Sequence, residues 1–202
     1  MAMRLGMQTT GDSMKVSQKR RALITGASSG IGKATALAFA KAGIDVALLS
    51  RSLPKLTAVA EAVEHTGVEA KAYALDLSNI CEVQQKMQNI AQDFGNIDIL
   101  VNNAGMGYTG DLLSTSLEDW QQVMNLNLTS VFQCIQGILP SMRDRHHGTI
   151  INIASIAAHQ AFPNWGAYCV SKAGLLTLSK VLAAEERAHG IRVMVSICFE
   201  NG

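Results

Sequence analysis

Thr25-Gly26-Ala27-Ser28-Ser29-Gly30-Ile31-Gly32 decides the fold of this chain, because of what stands on either side of it. Before it, Arg21–Thr25 (RALIT) reads as a short apolar strand. After it comes a helical stretch whose apolar face is expected at Ala34, Leu37, Ala38 and Ala42, with Gly43 as its stop. Strand, glycine-rich turn and helix in that order bring bare backbone up to a pyrophosphate and turn the free N–H groups of a helix N-terminus toward its charge. The context gives the glycines their meaning, since the pattern alone is weak. Gly26, Ser28, Ser29, Gly30, Ile31 and Gly32 are therefore candidate dinucleotide-binding residues.

Working outward, Asp45–Ser50 (DVALLS) is a second strand, unbroken in its apolar character as in a sheet covered on both faces. Ser52 is placed to cap a second helix with Pro54 in its first turn, Leu53, Leu56, Val59 and Val63 at helical spacing, and Gly67 at its end. Residues 69–75 form a third strand, and Ile80, Val83, Met87, Ile90 and Phe94 mark a third helix. Residues 97–101 form a fourth strand, with 102–105 as its exit loop. Ser116 with Asp119 resembles a capping box and opens a long helical region through Met142. A fifth strand over 148–154, a long helix over 165–189 and a sixth strand over 192–199 complete the series. Strands alternating with helices require right-handed crossovers, and so a parallel sheet wound on both faces. The predicted class is α/β, a Rossmann-type doubly wound sheet of six strands in the order 3-2-1-4-5-6. One domain is expected over 19–202, behind a loose tail over 1–18.

The 202 residues suffice for one buried core. With 48% hydrophobic residues, 16% charged and a net charge of +1, nothing suits a nucleic-acid or membrane-surface role. Apolar runs such as 22–24 and 46–49 are far too short to span a bilayer. The first 17 residues lack the apolar middle of a secretory signal, which predicts the cytoplasm. Cys81, Cys134, Cys169 and Cys198 are widely spaced, so free, buried thiols are expected rather than disulfides or a metal site. His146-His147 precede Gly148 at a helix end, where cations suit the dipole, and no third metal ligand lies near them.

The end of the second strand selects the cofactor. NAD sites place an acid there for the ribose 2′-OH, and NADP sites a base for the 2′-phosphate. Here Ser50 is followed by Arg51, with no carboxylate at either position; the expected cofactor is NADP(H), with Arg51 on the phosphate.

Tyr168 and Lys172 lie four residues apart at the start of the last long helix and share one face. An ammonium beside a phenol favours the phenolate, which makes the tyrosine a usable proton donor or acceptor near neutrality. Ser155 follows the fifth strand with a hydroxyl able to hydrogen-bond a carbonyl or alcohol oxygen. In a parallel sheet both lie toward the C-terminal strand ends, where the cofactor crevice is. His159, Phe162, Asn164 and Trp165, between Ser155 and Tyr168, are candidates for substrate selection.

These pieces together resemble the short-chain dehydrogenase/reductase family. The matching segments are TGASSGIG at 25–32, LDL at 75–77, NNAG at 102–105, Asn127 within MNLNLTSVF, NIAS ending at Ser155 and YCVSK at 168–172. They follow the family's order and spacing over nearly the whole chain, most closely in the 3-oxoacyl-thioester reductase-like branch. The resemblance implies that Tyr168 is the general acid/base and that Lys172 tunes it while holding the nicotinamide ribose. It implies that Ser155 polarises the substrate oxygen and that Asn127 kinks its helix and anchors a proton-relay water. Asp76 and Leu77 would line the adenine, and Asn103, Ala104 and Gly105 would pass beside its ribose. Asn102 is expected to fix the sheet, and Asn125 to be exposed. The implied reaction is hydride transfer between nicotinamide and a small carbonyl or alcohol substrate. The implied assembly is a homodimer or homotetramer pairing through the helices over 116–142 and 165–189.

The resemblance departs at the end. Family members follow the sixth strand with a Pro-Gly turn, a substrate-covering segment and a seventh strand, whereas this sequence reads RVMVSICF and then Glu200-Asn201-Gly202. A missing seventh strand, an exposed edge carrying Val193, Val195 and Ile197, and weakened activity are the expectations that follow. They leave a second reading, a dinucleotide-binding regulatory or scaffold protein. A sugar-nucleotide epimerase or dehydratase fits the glycine spacing and the length less well.

Overall fold

The computed structural model describes residues 19–198. The tail expected over 1–18 and the last residue of the predicted sixth strand, Phe199, lie outside the described residues.

Six parallel strands form one sheet in the order β3-β2-β1-β4-β5-β6. They are β1 (Arg21–Thr25), β2 (Asp45–Ser50), β3 (Ala70–Ala74), β4 (Ile99–Asn102), β5 (Gly148–Ser155) and β6 (Ile191–Cys198). The helices are α1 (Gly30–Lys41), α2 (Leu53–Glu64), α3 (Ile80–Phe94), α4 (Leu117–Met124), α5 (Ser130–Asp144) and α6 (Gly166–Glu186). Alternation along the strands divides the core. Ala22, Ile24, Val46 and Leu48 face α1 and α2, while Leu23, Leu49, Leu100 and Ile150 face α3, α5 and α6. Burial on both sides is what the unbroken apolar runs of β1 and β2 foretold.

Two local expectations change. The buried face of α1 is Gly32, Ala36 and Ala40, not Ala34, Leu37, Ala38 and Ala42. In a helix with alanine on every side, hydrophobic periodicity has no contrast, and the smallest residues win the face that must lie closest to the sheet. Ser52 occupies the N-cap of α2, but its hydroxyl makes no capping bond; its N–H donates to Ser50 Oγ (3.3 Å) instead. The helical region expected through Met142 is α4 and α5 joined without a gap by a π-type turn over Asn125–Thr129, which holds Asn127. Ser116 does cap α4, accepting from the Asp119 N–H at 3.0 Å.

Among the described residues β3 and β6 are the sheet edges. Along β6, Val193, Val195 and Ile197 are half-buried, and the exposed apolar side chain is Met194. Asn102 does fix the sheet: its Nδ2 donates to Asn152 Oδ1 (2.8 Å), tying β4 to β5. Asn125 is half-buried, not exposed.

Candidate active site

The glycine turn is clamped to the loop that leaves β4. Thr25 Oγ1 accepts from the N–H groups of Asn103 (2.9 Å) and Ala104 (3.0 Å). Asn103 Nδ2 donates back to the carbonyls of Thr25 (3.0 Å) and Gly26 (3.3 Å). That closeness explains two glycines. Gly26 has φ +66°, and a Cβ on it would lie 2.9 Å from Ala104 Cα; a Cβ on Gly32 would overlap the Gly26 carbonyl oxygen. The Ser29 hydroxyl makes no capping bond at the start of α1, so the N–H groups of its first turn are left for an anion.

Above the turn lies a cleft of about 400 Å³. Of the sequence candidates, Gly26, Ser28, Ser29, Arg51, Asp76, Leu77, Asn103, Ala104 and Gly105 line it. Gly30 and Gly32 do not, and Gly32 is buried beneath the turn. Asp76 Oδ1 accepts from the Ser78 N–H (2.9 Å) and hydroxyl (2.7 Å). Those bonds hold its carboxyl below the ordinary carboxylate range, the Ser78 N–H first and the charge of Arg51 helping. Ser52 and Lys55, not singled out from the sequence, also line the cleft. Lys55 stands four residues after Arg51 in the first turn of α2, and that spacing was the available signal.

A second cleft shares Asn103 and Gly105 with the first and is lined further by Ile31, Ser155, Tyr168, Lys172 and Cys198. Ser155 comes from the C-terminal end of β5, and Tyr168 and Lys172 from the first two turns of α6, so two elements bring the three side chains to one cleft. All three side chains are buried. Lys172 Nζ donates to the Ile153 carbonyl (2.9 Å) and lies 5.7 Å from the Tyr168 ring centre. Ser155 Oγ accepts from the Ala157 N–H (3.2 Å), which orients it at the turn Ile156–Ala158. Cys198 pairs in register with Ser155 across β5 and β6.

Asn127, wholly buried in the π-type turn, braces this arrangement from behind. Its Oδ1 accepts from the Met106 N–H (2.8 Å), and its Nδ2 donates to the Met106 carbonyl (2.9 Å) and to Ser171 Oγ (3.0 Å). Ser171 Oγ in turn donates to the Tyr168 carbonyl (2.7 Å).

Phe162 and Trp165 border a third recess beside Ser155 and Tyr168. His159 and Asn164, expected with them, are exposed and outside it. Of the cysteines expected to be buried only Cys134 is, where desolvation pushes its thiol up to about 12; Cys81 is exposed, and Cys169 and Cys198 are intermediate. His146 and His147 are exposed, and no helix among the described residues is long and apolar enough to cross a membrane.

The sequence signature described as short chain dehydrogenase matches residues 20–198. A 3-oxoacyl-[acyl-carrier-protein] reductase of Synechocystis is 41% identical over 173 residues, covering 85% of this chain and 70% of that protein. A metagenomic short-chain oxidoreductase solved with NADP superposes with a TM-score of 0.84 at 34% identity, over 91% of this chain and 82% of that one. A xylitol dehydrogenase solved with NAD+ gives the same TM-score at 32% identity, over 89% and 70%. Carrying the glycine turn, the paired loop and the Ser155–Tyr168–Lys172 cluster in one continuous match, the chain belongs to the short-chain dehydrogenase family, in the branch resembling 3-oxoacyl-[acyl-carrier-protein] reductases.

Proposed function

We propose that this family member is an NADPH-dependent reductase interconverting a carbonyl and its alcohol, with Tyr168 as general acid/base. The observation that carries the reading is a pair of adjoining clefts. One is lined by Arg51, Asp76 and the glycine turn, the other by Ser155, Tyr168 and Lys172, and Asn103 and Gly105 line both. Gly26 and Gly32 let the turn close on itself and on the Asn103–Ala104 loop, and the uncapped N–H groups at the start of α1 suit a pyrophosphate. When bound, the nicotinamide supplies or accepts the hydride; the chain's own groups handle the proton and the orientation. Ser155 donates a hydrogen bond to the substrate oxygen, Tyr168 passes it the proton, and the Lys172 ammonium stabilises the phenolate left behind while also holding the nicotinamide ribose. Asn127 holds the Met106 backbone and anchors the water through which the proton is replaced.

NADPH rather than NADH follows from Arg51 and Lys55, two cations at one end of the cleft with no carboxylate at the end of β2. The fold itself does not choose, since the similar xylitol dehydrogenase was solved with NAD+. The deciding test is Tyr168→Phe. NADPH should bind as before while turnover falls about 10²–10⁴-fold; turnover at the wild-type rate would overturn the assignment.

The same reading includes a homodimer, or a dimer of dimers, through α4, α5 and α6. Phe132, Val170 and Val181 are apolar yet about half exposed, and Val170, Ala173, Thr177 and Val181 recur at helical spacing along the outward face of α6. It also places the protein in the cytoplasm, where a reducing milieu suits its free thiols.

A further inference from the structure

The recess bounded by Ser155, Ile156, Ala157, Phe162, Trp165 and Tyr168 holds about 190 Å³. Ser155 and Tyr168 bring hydroxyls to it. The other four residues are aliphatic or aromatic, and among the described residues no charged or amide side chain lines it. Its aromatic wall is braced. Asn164 adopts φ +65°, and the chain re-enters α6 with the Trp165 ring set edge-on to Tyr168, 5.4 Å between centres. From the other side the Gly110 N–H donates to the Asn164 carbonyl (2.8 Å), and Gly107 lies against the indole, a Cβ built there falling in ordinary contact with it at 3.5 Å.

Resting on the reductase reading above, we propose that the substrate is an uncharged ketone, or its secondary alcohol, carrying a compact apolar group about the size of a benzene ring beside the carbonyl. Phe162 and Trp165 are the residues that select it. The size argument is direct: an engineered apolar cavity of about 150 Å³ accepts benzene, and this recess is slightly larger, with its two hydroxyls where the carbonyl oxygen must sit. Polarity selects as strongly. A polyhydroxylated ketone would bring several hydroxyls against Ile156, Ala157 and Phe162, whose side chains offer no hydrogen-bond partner. The ring of an aryl ketone instead meets Phe162 and Trp165, surfaces with which aromatic groups pack favourably. The step balances. A hydride from the reduced nicotinamide forms the C–H bond at the carbonyl carbon as the C=O π bond opens, and the Tyr168 proton forms the O–H bond. The ketone is reduced by two electrons and NADPH is oxidised to NADP+.

The test uses the full 202-residue chain with acetophenone and D-xylulose as probes. NADPH consumption gives turnover, and ligand-observed NMR with NADP+ present gives binding. Acetophenone should exceed D-xylulose in kcat/KM by about 100-fold, the discrimination an apolar pocket achieves against added hydroxyls. Trp165→Ala should raise KM for acetophenone about tenfold, in keeping with the loss of one buried aromatic contact surface, with NADPH affinity unchanged as proof of folding. D-xylulose turned over as well as acetophenone, or a Trp165→Ala variant with unaltered KM, overturns the substrate class and leaves the reductase reading standing. Acetophenone bound selectively but never reduced does the reverse. If neither ketone binds while NADPH does, the substrate class falls.

Discussion

Asn127→Ala is the perturbation that most directly joins the stability of this molecule to its site. The wild-type amide is wholly buried and makes three hydrogen bonds, two of them to the Met106 backbone and one to Ser171. Ser171 keeps the Tyr168 carbonyl as its acceptor, so for it the loss is slight. The Met106 N–H and carbonyl lose their partners outright. An unsatisfied buried group costs about 1–3 kcal/mol, and the lower end applies here because the Met106 loop is only partly buried and water can reach it. Two such groups, with the small void left by the amide, give a destabilisation of about 2–4 kcal/mol. For a chain of this size that lowers Tm by roughly 5–15 °C. Scanning calorimetry and urea unfolding measure it, and turnover should fall further than stability alone explains, because Asn127 positions the loop beside Lys172. A variant within about 0.5 kcal/mol of wild type, the range of neutral surface substitutions, would refute the reasoning. The bonds at Met106 would then be replaceable and the π-type turn would not depend on them.

Arg51→Ala should remove most of an expected preference of about tenfold for NADPH over NADH, and adding Lys55→Ala should remove the rest; cofactor titrations giving equal affinities for the unaltered protein would sink the assignment. At the far end of α6, the buried Glu186 carboxylate accepts from Arg143 Nε (2.9 Å) and Nη2. Arg143 thereby holds it below the ordinary carboxylate range. A depressed pKa stabilises the fold above the unfolded-state value and ceases to as pH falls through the folded-state value. The gap in urea midpoint between wild type and Glu186→Gln should therefore be full at neutral pH and close below about pH 4.3; a gap independent of pH would refute this. Val181→Arg should halve the mass measured by light scattering without altering NADPH affinity, and a wild type that is monomeric at micromolar concentration would count against the pairing.

How legible the fold was depended on how strongly each segment's neighbours agree with its own preferences. β1, β2 and β5 are buried on both sides and each carries a run of aliphatic residues at its centre, so their bounds were nearly right from the sequence. β4 was placed two residues early because Ile97 is apolar and buried, yet Asp98 intervenes and turns to Arg145 (2.7 Å) and to the Arg21 N–H (2.9 Å) before the ladder begins. The face of α1 was misread for want of contrast among its alanines. The π-type turn between α4 and α5 leaves no trace in hydropathy at all, because it rests on one amide, Asn127, reaching a backbone twenty-one residues away.

The candidate site divides along the same line. Residues at or just beyond a strand's C-terminal end or in a helix's first two turns, such as Ser155, Arg51, Tyr168 and Lys172, are legible because the topology of a parallel sheet sends all C-terminal strand ends to one edge. The loop between Ser155 and Tyr168 has no such rule. His159, Phe162, Asn164 and Trp165 were equivalent as letters, and the folded loop sorts them: His159 and Asn164, the latter in a left-handed turn, stay exposed, while Phe162 and Trp165 line the recess. On the reading proposed above, the chemistry of the reaction is carried by elements that every Rossmann-type sheet must place. On the same reading, the choice of substrate falls to a turn that contacts the Gly107–Gly110 loop more than fifty residues earlier. Relatives sharing the same Ser155, Tyr168 and Lys172 positions should therefore differ in substrate with little change elsewhere. Exchanging residues 156–165 between two of them is expected to move substrate preference while leaving cofactor preference in place, and a swap that moved both would show that the two clefts are coupled.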